Sequence, residues 1–157
     1  MAHEFFNNLT ETGTDDLARR IGARLRPGDT ILLSGDIGAG KTRFARALIL
    51  SLLDGPEDVP SPTFTLVQTY ASPLGEIWHA DLYRLSMPEE LDELGLSEAF
   101  DTAVCLIEWP ERMGAWVPPR SVQLRFDIAP DGEDLRRVTL TAAGSEGAAL
   151  VDRLKDV

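Results

Sequence analysis

Two rhythms of apolar residues divide the chain. Asp29 to Ser34 (DTILLS), with consecutive apolar residues at its centre, and Ala103 to Ile107 (AVCLI), apolar throughout, show the pattern of strands buried on both faces. Arg43 to Leu53 (RFARALILSLL) instead returns apolar side chains at three- and four-residue intervals, the period of a helix with one buried stripe. Phe64 to Tyr70 and Glu76 to Asp81 flank a Pro73-Leu74-Gly75 turn and read as a hairpin. Val122 to Ile128 and Arg136 to Thr141 predict a second hairpin around Pro130-Asp131-Gly132.

Caps and breakers place the other elements. Glu4 to Asn7 reads as a short edge strand. Thr14 reads as the N-cap of a helix from Asp15 to about Leu25, with acids in its first turn and Arg24 near its end. Pro27-Gly28-Asp29 turns the chain into the first buried strand, and Asp54-Gly55-Pro56 stops the helix that follows it. Val59 to Thr63 is a loop stiffened by two prolines. Pro88 opens a short acidic helix (PEELDELG), a second helix runs from Ser97 to about Phe100, and Glu146 to Lys155 predicts a terminal one. No repeat or linker splits the 157 residues, a length that suits one core. The expected fold is a single α/β domain over residues 1–157, a mixed sheet flanked by helices.

Composition removes several classes of function. Hydrophobic residues make up 43% of the chain, as in an ordinary globular domain. The longest apolar run, Ala47 to Leu53 interrupted by Ser51, is too short to cross a bilayer, so no membrane role is expected. The start, MAHEFFNN, carries no basic region followed by an apolar stretch. Cys105 is the only cysteine and reads as a small core residue, which leaves no intramolecular disulfide and makes a reducing cytoplasm the simplest home. With one cysteine and two well-separated histidines, a zinc site is not expected. Acidic residues outnumber basic ones 26 to 15, and a net charge of −11 opposes an extended phosphate-backbone footprint.

Against that background one stretch carries distinct chemistry. Gly35-Asp36-Ile37-Gly38-Ala39-Gly40-Lys41-Thr42 places glycines at 35 and 40, with four residues between them, directly before a lysine and a threonine. This is the phosphate-binding loop pattern, and it lies between a predicted strand and a predicted helix, as the pattern requires. Glycines let the backbone approach an anion closely, and the helix start supplies N–H groups and a positive dipole end. Lys41 would place a compact charge on the β and γ phosphates, and Thr42 a hydroxyl on the magnesium ion that accompanies them. Lys41 and Lys155 are the only lysines in a chain that otherwise uses arginine, which marks position 41 independently of its glycines.

Hydrolysis needs more than a loop: a second acid for magnesium, a means of orienting water and a group that senses the γ-phosphate. Glu108 follows the apolar strand Val104-Cys105-Leu106-Ile107 and is the best-placed acid for the metal; Asp81 closes Ile77-Trp78-His79-Ala80 in the same way. Thr63, in the proline-stiffened loop, is a candidate switch threonine, and Trp109 a candidate neighbour of the nucleotide. Neither lysine sits in a guanine-specific motif, so ATP is favoured over GTP. Two other readings compete. One is a small-molecule kinase, with Arg112, Arg120, Arg136 and Arg137 as a phosphate clamp; the other is a nucleotide-bound interaction module without turnover.

Four motifs together resemble one family. The phosphate loop, Ser61-Pro62-Thr63-Phe64, His79-Ala80-Asp81-Leu82-Tyr83-Arg84-Leu85 and Ile107-Glu108-Trp109-Pro110-Glu111-Arg112 occur in the order and at the spacing of the TsaE (formerly YjeE) family. The likeness spans roughly residues 10 to 112; Ile37 stands where leucine is more usual, and the last third of the chain adds no motif. The resemblance implies an ATPase that takes ATP and Mg2+ and turns over slowly unless joined to partners. It implies work with TsaD and TsaB, which attach threonylcarbamoyl to adenosine 37 of tRNAs reading codons that begin with A. Turnover would reset that complex, the transfer itself and most tRNA contact being left to the partners. By motif, Lys41 and Thr42 hold phosphates and magnesium, Thr63 is the switch threonine, Asp81 and Glu108 are the functional acids, and Trp109 lies near the nucleotide. Which acid orients water and which serves the metal stays open.

Overall fold

Ile31 and Leu33 of β2 (Thr30–Gly35) pack into one apolar cluster and Leu32 into another, and all three are buried. Strand β5 (Val104–Glu108) divides the same way, Val104 and Leu106 to the first cluster, Cys105 and Ile107 to the second. Strands with no polar face belong at the centre of a sheet covered on both sides. That is where they lie, in a computed structural model that describes residues 3–36, 38–53, 55, 59–60, 62 and 66–156.

The sheet has seven strands, in the order β1 (His3–Leu9), β7 (Arg136–Ala142), β6 (Ser121–Ile128), β2, β5, β4 (Gly75–Asp81) and β3 (Val67–Ser72). The central four, β6, β2, β5 and β4, run parallel. Each flank closes with an antiparallel hairpin, β6–β7 and β3–β4, and β1 adds to β7 at one edge. The first face is covered by α1 (Glu11–Gly22), α2 (Lys41–Leu52) and α5 (Gly147–Leu154), through side chains such as Ile21, Phe44, Leu48 and Val151. The second is covered by α3 (Glu90–Glu93), α4 (Leu96–Thr102) and Met113 of a 3-10 turn, Pro110–Met113. Each fully buried Leu, Ile or Phe here contributes about 1.5–3 kcal/mol. The mixed α/β sheet flanked by helices is as the apolar pattern predicts.

Several boundaries differ from the reading of the sequence, among them the end of α1, expected near Leu25 and found at Gly22. Helix α1 starts four residues early, because Thr10 takes the N-cap: its hydroxyl accepts from the Gly13 N–H at 3.0 Å. Thr14 is then a buried residue inside the helix, not its cap. The helix expected from Pro88 shrinks to the single turn α3, and Gly95, at φ +84, separates it from α4. β3 begins at Val67, after Leu66 at φ +64; Phe64, the expected start of that strand, lies outside the described residues.

The last third of the chain, where no motif appears, is fastened by a buried acid. Asp29 is fully buried and accepts from Arg120 at 2.9 Å, Arg153 at 2.5 Å and the Arg26 N–H at 2.8 Å. Arg153 belongs to α5, so one carboxylate ties the end of the chain to the entrance of β2.

Candidate functional site

Register brings three strand ends to one level. Leu33 of β2 and Asp81 of β4 both pair with Glu108 of β5, and all three strands are parallel, so their carboxyl ends open together. In open parallel sheets that is where ligands bind. Strand alternation then chooses the side chains: His79 and Asp81 share a face with Ile77, and Glu108 shares one with Val104 and Leu106. Ile77, Val104 and Leu106 all pack in the cluster beneath α2, so the three polar side chains collect under the start of that helix.

The loop before α2 needs its glycines. Gly35 has φ +134, and a Cβ there would lie 2.5 Å from the Phe126 carbonyl oxygen of β6. Gly38 and Gly40 also have positive φ, +82 and +111. Gly40 is the N-cap of α2, and among the described residues no side chain caps that helix or brings an acid into its first turn. Its first N–H groups are left for a ligand to satisfy, at the positive end of the dipole. Arg136, from the start of β7, secures the loop, donating to the Ala39 carbonyl at 3.1 Å and the Gly38 carbonyl at 3.4 Å. Asp36 is exposed, Ala39 is buried, and Ile37 lies outside the described residues.

Lys41 is only 5% exposed. Its ammonium donates to the Gly35 carbonyl at 2.6 Å and sits 3.6 Å from the centroid of the Trp109 ring, a cation–π contact. Burial pushes its pKa below the ordinary lysine value; the charges of Glu108, Glu111, Asp81 and Asp36 push the other way. Trp109 presents its ring from a left-handed backbone, φ +59, at the turn between β5 and Pro110. For so large a residue that is a rare conformation, and such strain gathers at functional sites.

Next to the lysine, the Thr42 hydroxyl donates to Glu108 Oε1 at 2.8 Å. The other oxygen of the same carboxylate, Oε2, meets His79 Nε2 at 2.7 Å. Asp81 sits at the mouth, partly exposed, and accepts from the Tyr83 N–H at 3.0 Å. Burial is the main cause that raises its pKa above the ordinary aspartate value, and the Glu108 charge adds to it; the Tyr83 N–H, His79 and Lys41 oppose. Tyr83 stacks obliquely on Trp109, ring centroids 5.0 Å apart.

These groups line a cavity of about 940 Å³, large enough for a nucleotide-sized ligand. Of the residues singled out from the sequence, Gly38, Gly40, Lys41, Thr42, Asp81, Glu108 and Trp109 line it. Thr63, the candidate switch threonine, lies outside the described residues. Thr10, Thr12 and Thr14 of the α1 region and Asp134, Leu135 and Arg136 at the entry to β7 also line the cavity; of these only Arg136 was singled out for phosphate, in the kinase reading. The threonines at the start of α1 were a visible signal; the approach of β7 was not. Of the four arginines of a kinase clamp only Arg136 lines the cavity; Arg120 is committed to Asp29 and Arg137 donates to Asn7 at 2.9 Å.

Comparison with known proteins agrees with this fold. A family model described as threonylcarbamoyl adenosine biosynthesis protein TsaE matches residues 9–138, a span that takes in every described residue of the cavity. The chain is 39% identical over 130 residues to a tRNA threonylcarbamoyladenosine biosynthesis protein TsaE of Rickettsia bellii (strain RML369-C), covering 83% of this chain and 90% of that one. To the protein of the same name from Bacillus subtilis (strain 168) it is 36% identical over 142 residues, 90% of this chain and 87% of the other. Among solved structures, the crystal structure of Bacillus subtilis YdiB superposes with a TM-score of 0.78 at 30% identity, over 98% of this chain and 94% of that one.

Proposed function

The chain belongs to the TsaE family of threonylcarbamoyl adenosine biosynthesis proteins, and on that premise we propose that it is a P-loop ATPase working in an assembly with TsaD and TsaB homologues. In this reading it binds ATP with Mg2+ and hydrolyses it when the partners are present. The turnover supports threonylcarbamoylation of adenosine 37 in tRNAs that read codons beginning with A, without this chain making the transfer. The observation that carries the reading is the uncapped start of α2, with the buried Lys41 ammonium behind it and the Thr42–Glu108 pair beside it.

Each residue has a task that its chemistry suits. The α2 N–H groups and Lys41 hold the phosphates, Lys41 exchanging the Gly35 carbonyl for a phosphate oxygen. Thr42 and Glu108 offer hard oxygen donors 2.8 Å apart, the ligand type Mg2+ prefers when it is shared with phosphates. When bound, the ion neutralises charge on the β and γ phosphates. Trp109 keeps an apolar face toward the site, and Asp81, at the mouth, is within the reach of a water; either it or Glu108 orients that water. Thr63 is proposed as the switch threonine by motif alone.

Slow turnover is expected of the isolated chain, since hydrolysis needs a dry and complete constellation and the site is open at the mouth. The acidic surface suits docking on a basic, tRNA-binding partner in the cytoplasm, with the RNA contacted mainly through that partner. Among the described residues no helix is long and apolar enough to cross a membrane.

Calorimetric titration of the purified chain with ATP, with and without Mg2+, tests the proposal. Wild type should bind, more tightly with Mg2+, and Lys41→Ala should not. Absence of binding by wild type, or equal binding by Lys41→Ala, would refute it.

A further inference from the structure

We propose that His79 is a positioning residue: it donates its Nε2 proton to Glu108 Oε2 and so holds the carboxylate with Oε1 turned toward Thr42 and the cation. This rests on the nucleotide reading above. His79 Nε2 lies 2.7 Å from Oε2, while Thr42 takes Oε1, so the carboxylate is gripped on both oxygens by donors from β4 and α2. His79 is 1% exposed and Glu108 2%. No bulk water can fix the carboxylate there, and a carboxylate held by one hydrogen bond would be free to rotate. The threonine hydroxyl has one proton and two lone pairs, so it can keep donating to Glu108 while offering oxygen to a cation.

The proton on the ring has one sensible position. A carboxylate accepts only, so the nitrogen facing it must carry hydrogen. The other nitrogen, Nδ1, is buried with no hydrogen-bond partner among the described residues. The geometry thus fixes the role of Nε2, which presents its proton to Glu108 and to that carboxylate alone. The ring touches neither the phosphates nor the attacking water. Asp81, two residues on and on the same strand face, is left to the mouth of the site.

Two measurements test this. In wild type, long-range proton–nitrogen correlation of the histidine rings should show a proton on His79 Nε2; the chain has one other histidine, His3, which His3→Gln removes from the spectrum. An Nε2 without a proton would overturn the assignment. Then ADP affinity is measured with and without Mg2+. Supporting groups behind a metal ligand are worth about 10–100-fold in metal affinity. His79→Leu should lose about tenfold or more of the tightening that Mg2+ gives, by that measure, while metal-free ADP binding holds. His79→Gln, which can donate from nearly the same place, should restore it. Full Mg2+ tightening in His79→Leu, or an equal loss with and without Mg2+, would overturn the inference and leave the nucleotide site standing. If wild type binds no ADP, both fall together.

Discussion

Thr42 and Glu108, separated by 66 positions in sequence, share a hydrogen bond of 2.8 Å. It joins the first turn of α2 to the last residue of β5, the two elements whose ends define the site. The same pair gives the site its oxygen donors, so its integrity should be measurable in stability and in metal dependence alike.

Thr42→Val removes the donor and leaves Glu108 Oε1 without that partner. The ligand-free protein should lose about 1–3 kcal/mol. For a chain of this size that is roughly 2–4 °C of melting temperature per kcal/mol. Thr42→Ser should melt with wild type. Thermal unfolding without nucleotide checks both.

Gly35→Ala is expected to be far costlier than its size suggests. The residue sits at φ +134, and its new methyl would meet the Phe126 carbonyl at 2.5 Å, a backbone atom that cannot swing aside. Strain of about 1–3 kcal/mol adds to an overpacking cost of similar size. Gly38→Ala has the strained φ of +82 but nothing within 4 Å, so it should destabilise less. Denaturant melts of the two variants should rank them in that order.

Asp81→Asn should stabilise the ligand-free protein near neutral pH. Burial raises the Asp81 pKa, so the folded state favours the protonated acid. That contribution is fully present below the ordinary aspartate pKa and is lost as pH rises through the folded one. Asparagine keeps an oxygen for the Tyr83 N–H and does not titrate. The stability gap in favour of Asp81→Asn should therefore open as pH rises from acid toward neutral, as melts across that range would show. A gap independent of pH would mean that burial does not raise the pKa of this group.

Trp109 should report the occupancy of the site. Lys41 Nζ rests 3.6 Å from its ring and must leave to reach a phosphate. Nucleotide should change tryptophan emission in wild type, and Trp109→Phe should abolish that change while Trp78 and Trp116 still fluoresce. Persistence of the change in Trp109→Phe would place its origin elsewhere.

The sequence and the structure agree where a local pattern leaves no choice. Leu32 and Cys105 are apolar on the face opposite Ile31 and Leu106, so β2 and β5 had to be central, and Glu108, at the end of that run, had to emerge beside the loop. Two threonines four apart could both cap α1; only folding shows that Thr10 does, because its hydroxyl finds the Gly13 N–H. Arg136 was legible as a charge but not as the clasp on Gly38 and Ala39, since that contact spans nearly a hundred positions and depends on β7 pairing with β6. The left-handed backbone of Trp109 was equally hidden, for no composition rule puts an aromatic there. Thr63 and Ile37 were named from motif and lie outside the described residues.

ATP hydrolysis by the purified chain, alone and with its TsaD and TsaB homologues, is the most direct test. Wild type should be slow alone and faster with the partners, and Lys41→Ala should be inactive in both settings. Turnover that ignores the partners, or that survives Lys41→Ala, would contradict the account.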